Sequence, residues 1–145
     1  MSEIRPPRYL KPMNRVVRAM QRLGVRTGPA MILTVPGRKT GRPRSTPMTP
    51  FTYRGDLYTV AGYPGADWAA NARAAGAGTL TRGRKSREIR IVELNADESR
   101  PILRAFPVQV PVGVAFAKRS GLVRQGTPDE FEALAGQLAV FRFDP

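Results

Sequence analysis

Side chains able to bind an anion are concentrated in one segment of this chain, residues 35–48. The segment contains cations, hydroxyl side chains and glycines between two apolar stretches: Arg38, Lys39, Arg42 and Arg44; Thr40, Ser45 and Thr46; Gly37 and Gly41. Guanidinium and ammonium groups donate charge-assisted hydrogen bonds to phosphate oxygens, and glycine lets the backbone come close to a ligand. We therefore expect an anion-binding loop with a phosphate as its ligand. The glycine-lysine spacing of P-loop nucleotide hydrolases is absent, so the sequence gives no support for ATP or GTP hydrolysis.

The whole chain is strongly basic, with 24 Lys and Arg against 11 Asp and Glu and a formal net charge of +13. The cations are spread along the sequence and are not confined to a tail. Such a charge favours polyanionic partners, and three classes remain open: nucleic acid, an anionic membrane surface and a small polyanionic cofactor.

The chain contains neither cysteine nor histidine. Their absence excludes disulfide bonds, thiolate nucleophiles, zinc sites of the usual kind and catalysis by a Ser-His-Asp triad. We therefore expect no metal site. If the protein is an enzyme, its chemistry is expected to reside on a bound cofactor that the protein holds and orients.

The first half of the chain predicts one helix and three strands. Apolar residues at helical spacing predict a basic amphipathic helix over about residues 12–23, and an apolar run predicts a buried strand over residues 30–35. The anion-binding segment follows this strand directly. A hairpin is then expected, with strands over residues 48–53 and 57–61, a turn at residues 54–56, and Pro50 indicating a sheet edge or a bulge.

The second half alternates helices and strands. We expect a helix over residues 67–75 with Asp67 as its N-cap and Gly76 as its stop, then a second hairpin with strands over residues 79–81 and 88–94. Two further helices are predicted by capping boxes, which are formed by Asn95 with Glu98 and by Thr127 with Glu130. The apolar stretch 108–116 is interrupted by proline and glycine and is expected to be irregular and to line a pocket, and residues 140–143 alternate like a last strand.

Together these elements predict a single α+β domain over residues 1–145, with a barrel-like antiparallel sheet closed by its terminal strand. No apolar run is long enough to span a membrane, and no apolar signal segment precedes the basic helix, which favours a cytoplasmic protein. Attachment of the basic N-terminal helix to an anionic membrane surface is the alternative.

The order of a strand, Gly-Arg-Lys-Thr-Gly-x-Pro-Arg-x-x-Pro-Met, a hairpin and Trp68-x-x-Asn71-x-Arg73 resembles the deazaflavin-dependent nitroreductase family. The match covers about residues 20–95. The resemblance implies an antiparallel split β-barrel of the FMN-binding type with flanking helices. It also implies coenzyme F-420 as the cofactor, an 8-hydroxy-5-deazaflavin whose phospholactyl-oligoglutamate tail is a chain of anions.

The same resemblance implies a set of cofactor-binding residues. Lys39 and Arg44 would bind the phosphate and the tail, while the neighbouring Arg38, Thr40 and Gly41 would shape the loop. The remaining residues would lie against the deazaflavin ring or reach its edge: Thr46, Pro47, Met48, Ala61, Gly62, Tyr63, Trp68 and Asn71. Tyr63 is the nearest side chain able to act as a proton donor, with solvent as the alternative donor.

The implied reaction is hydride transfer from reduced coenzyme F-420 to a hydrophobic acceptor such as an enone, a quinone or a nitro compound. Some family members carry a serine near the position of Gly62 and C-terminal tyrosines that contact substrate. This chain departs from both patterns, because its later region offers apolar side chains instead: Phe106, Val108, Val110, Val112 and Phe116. We therefore expect an enone, a quinone or a lipid-like acceptor in preference to a nitroimidazole.

Two other functions remain open at the level of sequence. One is a non-enzymatic basic protein that binds nucleic acid, although the aromatic residues are few and form no stacking stripe of the kind that single-strand binders use. The other is an FMN-dependent flavoreductase of the same fold. The oligomeric state is not determined by the sequence, and we expect no nucleic-acid partner.

Overall fold

The computed structural model describes residues 31–145, so the predicted N-terminal helix lies outside the described residues. Within them the chain forms seven strands: β1 Met31–Pro36, β2 Pro43–Met48, β3 Phe51–Tyr53, β4 Asp56–Val60, β5 Ala77–Arg82, β6 Lys85–Glu93 and β7 Val140–Asp144. Helices in this part of the chain are α1 Asp67–Ala75, α2 Ala96–Gln109, α3 Pro111–Arg119 and α4 Pro128–Glu132. None of these helices is long and apolar enough to cross a membrane.

The strands form one antiparallel sheet in the order β2-β1-β5-β6-β7-β4-β3. The last strand of the chain lies between β6 and β4 and so joins the two halves of the sheet. A flat sheet of this size would hold its edge strands about 29 Å apart. Yet Met48 at the end of β2 and Phe51 at the start of β3 are three residues apart, a span of at most about 11 Å. The sheet therefore curls until its edges approach each other, which confirms the predicted α+β barrel-like fold.

Strand β2 differs from the expectation, which places a loop over the whole anion-binding segment. The loop is confined to residues 37–42, and the second half of the segment pairs with β1 from Pro43 opposite Pro36 to Met48 opposite Met31. Two prolines and a lack of apolar alternation concealed the strand. An edge strand tolerates proline because one of its sides has no ladder hydrogen bonds to lose. The strand predicted over residues 48–53 is correspondingly shorter, since it is divided at Thr49 and Pro50.

Helix α1 has the predicted bounds, but its cap differs from the expectation. Ala66 occupies the N-cap position without a side-chain hydrogen bond, and Asp67 is the first helical residue. An acidic side chain in the first turn still stabilises the helix through the dipole. Gly76 ends the helix as predicted, in the left-handed conformation with φ 69°.

The stretch predicted to be irregular, residues 108–116, is helical apart from a break at Val110 between α2 and α3. Pro111 occupies the first turn of α3, where the missing N–H has no intrahelical partner to lose. Gly113 allows the two helices to approach closely, since a Cβ atom there would lie 2.3 Å from Cζ of Phe106. Both predicted capping boxes are present, at Asn95 for α2 and at Thr127 for α4.

Within residues 31–145, two apolar clusters form the core. The first lies between the curled sheet and helix α1 and includes Leu33, Ala72 and Phe141, which are all at most 1% exposed. The second lies between the other helices and strands β3, β4 and β7, and includes Leu103 and Phe131. The boundary between these clusters is where the candidate site is found.

Candidate functional site

The anion-binding loop, residues 37–42, is the turn that connects β1 to the edge strand β2. The N–H of Gly37 donates to the carbonyl of Arg42, and the N–H of Gly41 donates to the carbonyl of Gly37, both at 2.8 Å. Gly41 has φ 74°, a conformation that favours glycine. Thr40 Oγ1 accepts from the N–H of Arg42 at 3.2 Å. The loop is thus fixed by its own hydrogen bonds before any ligand is considered.

A second set of contacts fixes this loop to helix α1. Asn71 Oδ1 accepts from the backbone N–H of Arg38 at 3.0 Å and from its Nη1 at 2.8 Å. Arg38 Nη2 also lies 3.3 Å from Asp67 Oδ1. The Asn71 side chain is buried, whereas the Asp67 carboxylate is 89% exposed. Arg38 and Asn71, both predicted as cofactor-binding, therefore contact each other and hold the loop in position.

The loop, β2 and the N-terminus of α1 surround a polar cavity of 350 Å³. Its lining residues are Gly37, Arg38, Lys39, Thr40, Arg44, Ser45, Thr46, Asp67, Trp68 and Asn71. Lys39 and Arg44 form no ion pair with any acidic residue in the described part of the chain. No acidic residue in 31–145 therefore neutralises these two charges, and both can bind an anionic ligand. Gly41 does not line this cavity, and its role is to allow the turn of the loop through its positive φ.

An apolar cavity of 240 Å³ lies where the two core clusters meet. It is lined by Pro47, Met48, Thr49, Thr59, Val60, Ala61, Gly62, Trp68, Phe106, Val110, Val112, Gly113, Phe116, Ala117, Leu122, Phe131 and Leu138. No charged side chain belongs to this lining in residues 31–145. The expectation that the stretch 108–116 lines a pocket is confirmed in part, although Val108 is 72% exposed and lies outside the lining.

Trp68 borders both cavities, so the two are adjacent. Its ring packs on the fully buried Phe141 with centroids 5.6 Å apart and a tilt of 50°. Strand β2 also runs from one cavity to the other, because Arg44 to Thr46 line the polar cavity and Pro47 and Met48 line the apolar one. A ligand with an anionic part and a flat apolar part would match this arrangement.

Tyr63 lies at the mouth of the apolar cavity without lining it. Its side chain is 48% exposed, and its ring centroid is 6.5 Å from that of Phe116. It lines a third cavity of 310 Å³ behind helix α1, together with Arg73 and Glu93. Arg73 donates to both carboxylate oxygens of Glu93, at 2.6 and 2.7 Å, and so joins α1 to β6.

Several lining residues were missed by sequence reasoning. Ser45 is expected as one of the anion-binding hydroxyls but receives no role from the family resemblance, and it lines the polar cavity. Thr59 is a polar residue in an otherwise apolar strand pattern, and this departure from the pattern could have indicated a lining residue. Leu122, Phe131 and Leu138 reach the apolar cavity from distant parts of the chain, and no local spacing indicates that they meet there.

Comparison with known protein families gives a match over residues 9–124 to the family described as F-420H(2)-dependent quinone reductase. A search of curated proteins found no significant match.

Solved structures with the same fold include one described as a domain-swapped dimer, with a TM-score of 0.56 and 19% identity over 92% of this chain and 99% of that chain. Another is an F-420-H2-dependent reductase, FDR-A, with a TM-score of 0.54 and 18% identity over 80% of this chain and 94% of that chain. A third is a protein of the pyridoxinephosphate oxidase family from Clostridium acetobutylicum, with a TM-score of 0.50 and 11% identity over 90% and 83% of the two chains.

These structural likenesses establish the split-barrel fold, and the family match establishes the class of enzyme. The predicted resemblance to deazaflavin-dependent reductases is thereby confirmed. The chain belongs to the F-420H(2)-dependent quinone reductase family, and it is an oxidoreductase that depends on coenzyme F-420.

Proposed function

We propose that this protein reduces a hydrophobic quinone or enone by hydride transfer from reduced coenzyme F-420. The observation that carries the proposal is the pair of adjacent cavities, one cationic and one apolar, which share Trp68. Their chemistry corresponds to the two parts of the cofactor, an anionic tail and a flat ring.

The donors around the polar cavity fit a phosphate. Arg44 offers a planar fork of N–H groups, Lys39 offers a point charge, and Thr40 and Thr46 offer hydroxyls. The N-terminus of α1 adds its positive dipole end on the same side. Arg38 contributes less to the ligand than the sequence pattern implies, since it already pairs with Asp67 and Asn71. We therefore assign the main anion contacts to Lys39 and Arg44.

The apolar cavity fits a tricyclic ring. Pro47, Met48 and the Trp68 indole form apolar walls, and the chain at Ala61 and Gly62 borders the same space. When bound, coenzyme F-420 supplies the hydride, which is carried at C5 of the reduced deazaflavin. The protein's part is to hold ring and acceptor together and to exclude water, because positioning contributes most of the rate in such a reaction.

The acceptor would enter past side chains of helix α3. Val112 and Phe116 both line the cavity and remain 68% and 43% exposed, which makes its mouth apolar. A neutral, lipophilic ring system gains most from such a mouth, since the lining in residues 31–145 offers no cation to stabilise a nitro group. A proton would come from solvent or from Tyr63 Oη at the rim.

The experiment is a titration with oxidised coenzyme F-420 that follows the fluorescence of Trp68, the single tryptophan of the chain. FMN and a short single-stranded oligonucleotide serve as parallel ligands at physiological salt. Saturable binding of coenzyme F-420, followed by oxidation of its reduced form on addition of menadione, would support the proposal. Tight, salt-sensitive oligonucleotide binding without a response to coenzyme F-420 would overturn it, and yellow flavin bound during purification would favour the FMN alternative.

A further inference from the structure

Thr59 is a buried hydroxyl without a partner among the described residues. It lies on β4, is 2% exposed and lines the apolar cavity. Its backbone is paired within the sheet, where it is opposite Phe141 of β7. Its Oγ1 forms no hydrogen bond with any group in residues 31–145, in contrast to the buried Thr81, whose Oγ1 lies 2.9 Å from Oγ of Ser86.

An unpaired hydroxyl in such a place destabilises a protein. Buried polar side chains are nearly always hydrogen-bonded, because burial removes their contacts with water. Valine has almost the same shape as threonine, carries no polar atom and has a high β propensity. A structural role alone would therefore be filled better by valine at this position.

The surroundings restrict what the partner can be. Phe131 and Leu138 line the same cavity and offer neither donors nor acceptors. The other polar side chains of the lining in the described residues, Thr49 and Trp68, are only partly buried. A polar atom of a ligand within the cavity is thus the group best placed to pair with the hydroxyl.

We propose that Thr59 Oγ1 donates a hydrogen bond to a conjugated carbonyl oxygen of the ligand in the apolar cavity. This inference rests on the proposed function, which places a conjugated ring there. Such a carbonyl is present both on the pyrimidinedione ring of a deazaflavin and on a quinone or enone acceptor. One hydrogen bond at this depth would fix the orientation of an otherwise apolar ring within its plane.

The test compares Thr59→Val with Thr59→Ser, which keeps the hydroxyl, and with Thr81→Val as a matched control. Thr81 is also a buried threonine of the sheet, but its hydroxyl is paired and lies outside the cavity lining. The first measurement is thermal unfolding of the protein without ligand. We expect Thr59→Val to unfold at the same or a higher temperature than the wild type. Thr81→Val should unfold at a slightly lower one, because it loses a hydrogen bond whose other partner, Ser86, is exposed to water.

Ligand measurements identify the source of the carbonyl. A fall of about tenfold in affinity for coenzyme F-420 in Thr59→Val would assign the bond to the deazaflavin ring. A similar rise in KM for menadione, with unchanged affinity for coenzyme F-420, would assign it to the acceptor. Thr59→Ser should stay within about twofold of the wild type in both measurements.

Two outcomes would overturn the inference. One is unchanged cofactor affinity and unchanged KM in a folded Thr59→Val protein, and the other is a clear loss of thermal stability in that variant with function retained. Failure of the proposed function itself would look different, since the wild type would then bind neither coenzyme F-420 nor menadione.

Discussion

Arg38 and Asn71 are 33 residues apart in sequence, yet the backbone N–H and the Nη1 of Arg38 both donate to Oδ1 of Asn71. These two residues belong to the two separate motifs by which the cofactor site was predicted. Their contact makes the motifs one structural unit, in which helix α1 holds the anion-binding loop against the polar cavity. Both residues can therefore affect cofactor binding through the position of the loop, without touching the cofactor themselves.

Replacing Asn71 by Ala tests this unit. The variant would remove two partly buried hydrogen bonds to Arg38, which we expect to destabilise the protein by about 1–3 kcal/mol in total, at about 0.5–1.5 kcal/mol for each bond, and to weaken cofactor binding. Urea unfolding and the fluorescence titration measure the two effects. Asp67→Asn is the matched control, because its exposed pair with Arg38 contributes at most about 1 kcal/mol. Equal effects of the two variants would contradict the proposed clamp.

Lys39→Ala combined with Arg44→Ala tests the anion site directly. We expect the affinity for coenzyme F-420 to fall by several kcal/mol, at about 1.5–3 kcal/mol for each lost charge-assisted hydrogen bond. Thermal unfolding should change little, since neither side chain pairs with an acidic group in the described residues. A double variant of Arg82 and Arg87, both exposed and outside the lining of the polar cavity, removes the same charge elsewhere. Affinity that fell equally in the two double variants would indicate a general charge effect.

The carboxylate of Glu130 is expected to make the stability of the protein depend on pH. Its carboxylate accepts from the backbone N–H groups of Arg124, Thr127, Gln125 and Gly126, which lowers its pKa from 4.5 to about 2. Because the folded-state pKa lies below the unfolded one, this contribution is fully present above about pH 4.5 and is lost as the pH falls towards 2. Urea unfolding between these pH values should show a decline that Glu130→Gln reduces. An identical decline in that variant would exclude Glu130 as its cause.

The sequence predicted the parts of the site that depend on local spacing. The hairpin turns, the capping boxes at Asn95 and Thr127 and the stop of α1 at Gly76 are all present, since each depends on residues within a few positions. The motif residues around Trp68 also meet the anion-binding loop. The turns and caps depend on neighbouring residues, and the contact at Trp68 follows from the motif, so both can be predicted from the sequence.

What the sequence did not predict depends on tertiary contacts. Strand β2 has no apolar alternation and is identified only by its pairing with β1. Helix α3 contains Pro111 and Gly113, which local rules treat as breakers, although packing against Phe106 makes Gly113 favourable there. The role of Tyr63 stays a prediction, since its position at the rim neither assigns nor excludes proton donation.

The contact between Gly62 and Phe116 allows a test of which acceptors the apolar cavity can admit. A Cβ atom at Gly62 would lie 3.2 Å from Cε2 of Phe116, so a serine there must displace the ring. We expect Gly62→Ser to destabilise the protein by at most about 1 kcal/mol, because the half-exposed ring can shift, and to raise KM for menadione. Phe116→Ala removes the obstacle, and its own effect on stability should be smaller because the ring is 43% exposed.

The double variant of Gly62 and Phe116 is the decisive measurement. If the two residues compete for the same space, the serine should destabilise the protein less when Phe116 is already alanine, with a coupling of about 0.5–1 kcal/mol. Unfolding free energies of the four proteins in urea give this coupling. The same proteins assayed with menadione and with a nitroimidazole would show whether a hydroxyl at position 62 extends the range of acceptors. Additive effects on stability would mean that Phe116 moves freely and does not control the space beside Gly62.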